Sequence, residues 1–225
     1  MDARLPWAVR NNALWCDLVC RSHRIQTSFA PGLWVTAERP PQFYPDAVTL
    51  QAHVAEHHVL DAIKPGPGAS VKDSFATLDL APHGFEELLR ARWIAHYPLP
   101  AQSTNTSWTV VRTQHEFEAW IEAAGLTNIL GAELLRHAEV RFLVAHDRNG
   151  ISAGAVANLT DRVVGVSNVF AKTIDIDEAW VGIPAAVGAV FPAARLVGYE
   201  QGVGLRAAIA AGFRDLGPLR VWLAP

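Results

Sequence analysis

With 225 residues, 50 % of them hydrophobic and 18 % charged, the chain can bury a substantial core, which excludes a mainly disordered state and fits one large domain or a domain with a sizeable extension. A formal net charge of −3 provides no basic field for a polyanion, and no Lys/Arg block or aromatic-interleaved basic stripe is present, so nucleic acid is not an expected partner. Met1–Arg10 lacks a continuous apolar run and no later segment has the length of a membrane span, which predicts a soluble, cytoplasmic protein without a membrane partner.

In chain order, Asn11–His23 spaces Leu14, Trp15, Leu18 and Val19 as one face of a helix opened by Asn11. Cys16 and Cys20, the only cysteines, lie one turn apart on it and read as two small buried hydrophobes; a zinc site needs more ligands. Leu33–Glu38 predicts a strand, Pro40–Pro45 an extended loop and Ala52–Ile63 a helix. Lys64-Pro-Gly-Pro-Gly-Ala-Ser70 forbids helix and central strand alike, and the expected division places an N-terminal extension at 1–70 and the main domain at 71–225. Val71–Leu80 then alternates as a strand, and Gly84–His96 reads as a helix with Phe85, Leu88, Leu89 and Trp93 on one face. Trp108–Thr113 is a strand, Glu116–Ala124 a helix ended by Gly125, and Ala132–His137 a short helix. Val140–Ala145, Ser152–Asn158 and Val163–Phe170 form a meander with a turn at Asp147–Gly150. Asp177–Val190 is helical, kinked or late in starting because of Gly182 and Pro184.

The remaining segment, Arg195–Leu223, is a short apolar strand, a Gly turn, an Ala-rich helix stopped by Gly212, a connection and a final strand. This order resembles the closing β-α-β of the GNAT superfamily of acyl-CoA-dependent N-acyltransferases, in which an aromatic follows a helix-ending Gly, as Gly212-Phe213 do. The resemblance covers 108–225 well and 71–107 loosely. It implies an α/β fold with a mixed, mostly antiparallel central sheet flanked by helices, to which an N-terminal α/β extension is added here. It also implies that the strands at Val163–Phe170 and Arg195–Tyr199 part, so that the pantetheine arm of acetyl-CoA or another acyl-CoA lies in the gap. Ser167, Val169 and Phe170 are the cofactor-binding positions this points to. Where the family carries its pyrophosphate-binding Gly motif, this chain reads Phe170-Ala-Lys-Thr-Ile-Asp-Ile-Asp-Glu-Ala-Trp-Val-Gly182, with acidic Asp175, Asp177 and Glu178 and only Lys172 to attract a phosphate. Ala208 stands where family members commonly place a Tyr general acid.

Other constellations carry less. Gly202-Val-Gly204-Leu-Arg-Ala207 opens a helix after a strand, but a dinucleotide-binding domain requires further parallel strands and an acidic residue farther on, leaving at most a displaced anion site near Arg206. His53-Val-Ala-Glu-His57 matches the His-x-x-Glu-His zinc pattern, yet two imidazoles do not hold zinc, and no metal is expected. Glu200 ends a predicted parallel strand, where open α/β sheets assemble their sites, and is the candidate general base, with Asn168 on the neighbouring strand as its catalytic companion. Two functions follow from these residues and the resemblance. One is an N-acyltransferase acting on an amine of a small molecule or protein. The other is a catalytically inactive GNAT-like module that binds a ligand or a protein.

Overall fold

The computed structural model describes residues 2–97 and 107–225. The chain runs through α1 (Leu5–Ser22), β1 (Thr27–Ala30), β2 (Leu33–Thr36), β3 (Ala47–Thr49), α2 (Glu56–Ala62), β4 (Ser70–Asp73) and β5 (Glu86–His96). It continues with β6 (Trp108–Val110), α3 (Gln114–Ala124), β7 (Val140–Asp147), β8 (Gly150–Thr160), β9 (Val163–Ala171), α4 (Ile176–Val190), β10 (Arg195–Glu200), α5 (Gly202–Ala210) and β11 (Arg214–Leu223). All these strands join one sheet in the order β1-β2-β3-β4-β11-β5-β10-β9-β8-β7-β6. Only β3–β4 and β9–β10 pair in parallel; the other neighbours are antiparallel, so the expected mixed, mostly antiparallel α/β architecture is the one observed.

The main departure from the sequence reading is β5. Gly84–His96 is not a helix but the strand between β10 and β11, hydrogen-bonded to both. Its apolar residues fit a helical period over a short window, and its Glu, Leu, Ala and Arg residues are good helix formers. The buried face nevertheless follows a period of two: Ala91, Trp93 and Ala95 pack against Leu5, Ala8 and Val9 of α1, while Ile94 faces the core beneath α4 and α5. Leu88, counted on the helical face, is exposed. Tertiary pairing on both edges overrides local propensity. Because β5 lies between them, β10 and β11 are parallel but not adjacent, and the closing β-α-β spans an intervening strand.

Two shorter departures concern β4 and α2. The strand expected over Val71–Leu80 stops at Asp73, whose carboxylate accepts the backbone N–H groups of Phe75, Thr77 and Leu78 and folds the chain into a turn. The helix expected from Ala52 begins only at Glu56, so His53 and His57 do not share a helical face. Helix α4 is continuous from Ile176 to Val190 and contains Pro184.

Alternation along the strands divides the core between two faces. On one, α4 and α5 cover Leu143, Ala155, Val164, Val166 and Leu196 around Trp180 and Phe213. On the other, α1 and α3 cover Phe142, Val144 and Val156 around Trp15 and Trp120. The buried Asn11 fastens α1 to the sheet: its Nδ2 donates to the Asn158 carbonyl at 3.0 Å and its Oδ1 accepts from Asn158 Nδ2 at 3.2 Å. A Cβ at Gly165 would lie 1.9 Å from Asn11 Oδ1, so the close approach requires glycine there.

Candidate functional site

Strands β9 and β10 pair only at Val163–Arg195, Val164–Leu196 and Gly165–Val197. Beyond that point β9 continues to Ala171 against β8, and β10 continues to Glu200 against β5, with no ladder between them. The two strands therefore part, as the resemblance implied. A bulge in β9 accompanies the parting: the register with β8 shifts between Gly154 and Val156, and Asn168 has φ +51°. Asn is among the residues that tolerate this left-handed conformation, and its Nδ2 donates to Ser167 Oγ at 3.1 Å.

A cavity of about 230 Å³ lies at this opening, lined by Ser167, Asn168 and Val169 of β9, Tyr199 and Glu200 of β10, and residues from the N-terminal part of the chain. Helix α1 contributes Asn12, Trp15 and Cys16, which the i, i+3, i+4 spacing places on one face. Lys72 of β4 reaches the same space. Its Nζ donates to Asn12 Oδ1 at 2.9 Å and to Tyr199 Oη at 3.3 Å, and lies 4.4 Å from the Tyr199 ring centroid. Tyr199 is held in turn by an edge-on contact with Trp93, whose Nε1 donates to the Ser74 carbonyl at 2.8 Å.

Glu200 is the group best placed for acid–base chemistry. Burial pushes its carboxyl up to about 7, against a weaker pull downward from the backbone N–H of Gln201. Its side chain lies over the first turn of α5, where the absence of a Cβ at Gly204 makes room: an added Cβ would come within 2.6 Å of Glu200 Oε2. The Tyr44 phenol, also on the cavity, is pushed well up by burial and stays neutral. Burial likewise raises the Cys16 thiol, which removes it as a ready nucleophile. For Lys72, burial works against the charge, but its neighbours Tyr199 and Cys16 favour it, and the balance raises the ammonium above its ordinary value.

Of the residues singled out from sequence, Glu200, Asn168, Ser167 and Val169 come together on the cavity, whereas Phe170 and Lys172 do not line it. The Phe170 ring packs edge-on against Trp120, above Gly154. Lys172 is exposed past the end of β9, and its backbone N–H donates to the Ser152 carbonyl at 2.8 Å. The first turn of α4 that follows carries Asp177 and Glu178 after Asp175 at the N-cap. Lys72, Asn12 and Tyr44 went unnoticed in the sequence, where Lys72 reads as an ordinary polar position of an alternating strand. Its only signal is tertiary, since α1 and β4 meet β10 across long separations.

No protein-family model and no curated protein matches the sequence. Solved structures do match in shape. A GCN5-related N-acetyltransferase from Kribbella flavida superposes with TM-score 0.67 at 17 % identity, over 97 % of this chain and 95 % of that one. A putative acetyltransferase of the GNAT family from Novosphingobium aromaticivorans gives TM-score 0.63 at 12 % identity, over 96 % and 99 %. A GCN5-related N-acetyltransferase-like protein from Streptococcus suis gives TM-score 0.57 at 10 % identity, over 99 % and 96 %. The likeness extends over nearly the whole chain, N-terminal segment included, and by it this chain has the fold of the GNAT superfamily.

Proposed function

We propose that the protein is an acyl-CoA-dependent N-acyltransferase whose amine substrate occupies the cavity beside Glu200. The observation that carries this reading is the end of β9–β10 pairing at Gly165–Val197, directly beside a cavity that holds a carboxyl poised near neutrality. Parting strands present main-chain N–H and C=O groups without a ladder partner, and an extended amide chain satisfies them. The pantetheine arm of acyl-CoA fits that requirement, with Val166–Val169 of β9 as the edge that would hold it. Bound acyl-CoA supplies the activated thioester, whose carbon–sulfur bond is exchanged for a carbon–nitrogen bond to the amine. Glu200, ionised, accepts the proton that leaves the amine nitrogen. Asn168 and Ser167 orient groups at the opening, and Trp15 and Tyr44 wall off water on the α1 side.

Calorimetry with acetyl-CoA and with desulfo-CoA tests the reading first. Heat with both is expected; none at millimolar ligand would eliminate the transferase. A second reading, a GNAT-like binding module without catalysis, is favoured by the acidic start of α4 and by Ala208, which offers no hydroxyl to the leaving thiolate. Acetyl-CoA binding without thiol release over a broad panel of amines would favour the module.

A further inference from the structure

Lys72 is 3 % exposed, and every partner of its ammonium is neutral: the Asn12 side-chain carbonyl, the Tyr199 hydroxyl and the Tyr199 ring. Among the described residues, no Asp or Glu forms an ion pair with it. An ammonium with three N–H donors has one left over after Asn12 and Tyr199. That donor set is placed on the wall of the same cavity that holds Glu200. Lys72, Tyr44 and Tyr199 also border a second cavity of about 560 Å³. The lining of the cavity that holds Glu200 also includes the apolar side chains of Trp15, Leu126 and Ile129.

A ligand complementary to these walls carries a negative group for Lys72, an amine for Glu200 and an apolar body. We propose that Lys72 anchors the carboxylate of the acceptor, so that the substrate is a free α-amino acid with an apolar side chain, acylated on its α-nitrogen. The proposal rests on the transferase reading above and names its substrate class. The cavity, at about 230 Å³, has room for a single amino acid. A charge-assisted hydrogen bond to Lys72 discriminates against an acceptor that lacks the carboxylate.

Matched pairs test this on the full chain: L-leucine against 3-methylbutylamine, and L-phenylalanine against 2-phenylethylamine. Binding is followed by calorimetry without acyl-CoA, and transfer by thiol release with acetyl-CoA. Each amino acid is expected to bind the unaltered protein at least about tenfold more tightly than its amine, and Lys72→Met is expected to abolish that preference. Equal binding within the pairs, no binding of either amino acid at millimolar concentration, or a preference that survives in Lys72→Met would each overturn the proposal. Should that variant misfold, Lys72→Gln and the pair comparison on the unaltered chain decide in its place. Lys72-dependent amino-acid binding without thiol release would sink the transferase reading and keep the carboxylate site. Thiol release from amines and amino acids alike would do the reverse.

Discussion

At the scale of single residues, the proposed chemistry turns on Glu200 and on what surrounds its carboxyl. Burial raises the group from an ordinary value of 4.5 to about 7, so the base form that accepts a proton grows in as pH rises through neutrality. Acyl transfer limited by this base should therefore increase with pH and level off above about 8; a profile flat from pH 5 to 8 would remove Glu200 from the mechanism. The same shift has a consequence for stability. Between pH 4.5 and 7 the folded chain holds a proton that the unfolded chain has released, so this group opposes folding increasingly as pH rises through that window. Glu200→Gln should thus be more stable than the unaltered protein at pH 8 by on the order of 1–3 kcal/mol, equal to it near pH 4, and at least about a hundredfold slower in turnover with little change in acyl-CoA affinity. Gly204→Ala separates position from ionisation. Its Cβ would push on Glu200 Oε2 while alanine favours the helix, so turnover should drop about tenfold with melting temperature unchanged or higher.

At the scale of elements, the site depends on where α1 and β9 are held. Asn11 joins α1 to Asn158 of β8 beside Gly165, the last β9 residue paired with β10, so the clamp sits at the vertex of the opening. Asn11→Ala strands the buried Asn158 amide and should cost about 1–3 kcal/mol in urea unfolding; a loss under about 0.5 kcal/mol would mean that α1 is held elsewhere. The acidic first turn of α4 bears on the proposed binding of acyl-CoA. Asp175, Asp177 and Glu178 stand where phosphates would gain most from a helix N-terminus, and their charge works against them. S-acetylpantetheine, which lacks the diphosphate, is accordingly expected to bind within about tenfold of acetyl-CoA, a difference of no more than about 1.4 kcal/mol. A hundredfold advantage for the full cofactor, measured by competition, would show that the phosphates find partners at another place.

At the scale of the whole molecule, one sheet carries everything. The N-terminal strands enter it through the parallel β3–β4 pair, and β4 pairs with β11, so the first seventy residues and the rest share a continuous hydrogen-bonded layer. Trp34 of β2 is buried beside Cys16 of α1, and Trp120 and Trp180 are buried on opposite faces farther along. Urea unfolding followed by tryptophan fluorescence and by far-ultraviolet circular dichroism should show coincident transitions; two separated transitions would mean that the N-terminal segment unfolds by itself.

What could be read from the chain alone is what local chemistry decides. The β7–β9 meander and α5 with its stop at Gly212 rest on alternation, turn residues and neighbours close in sequence, while the candidacy of Glu200 and Asn168 rests on their place at the end of a predicted parallel strand and beside it. Strand β5 was misread because its apolar spacing suits a helix over a few residues, and only β10 and β11 on its two edges make it a strand. Lys72 was passed over for a related reason: β4, α1 and β10 bring Lys72, Asn12 and Tyr199 together from far apart in the chain. Hydrogen bonds to neighbouring strands and the burial of a charge are properties of assembled surfaces. The sequence by itself indicated most of the elements and the candidate carboxylate; the tertiary structure decided which strands part, what lines the opening, and that the Lys72 ammonium is buried there among neutral partners.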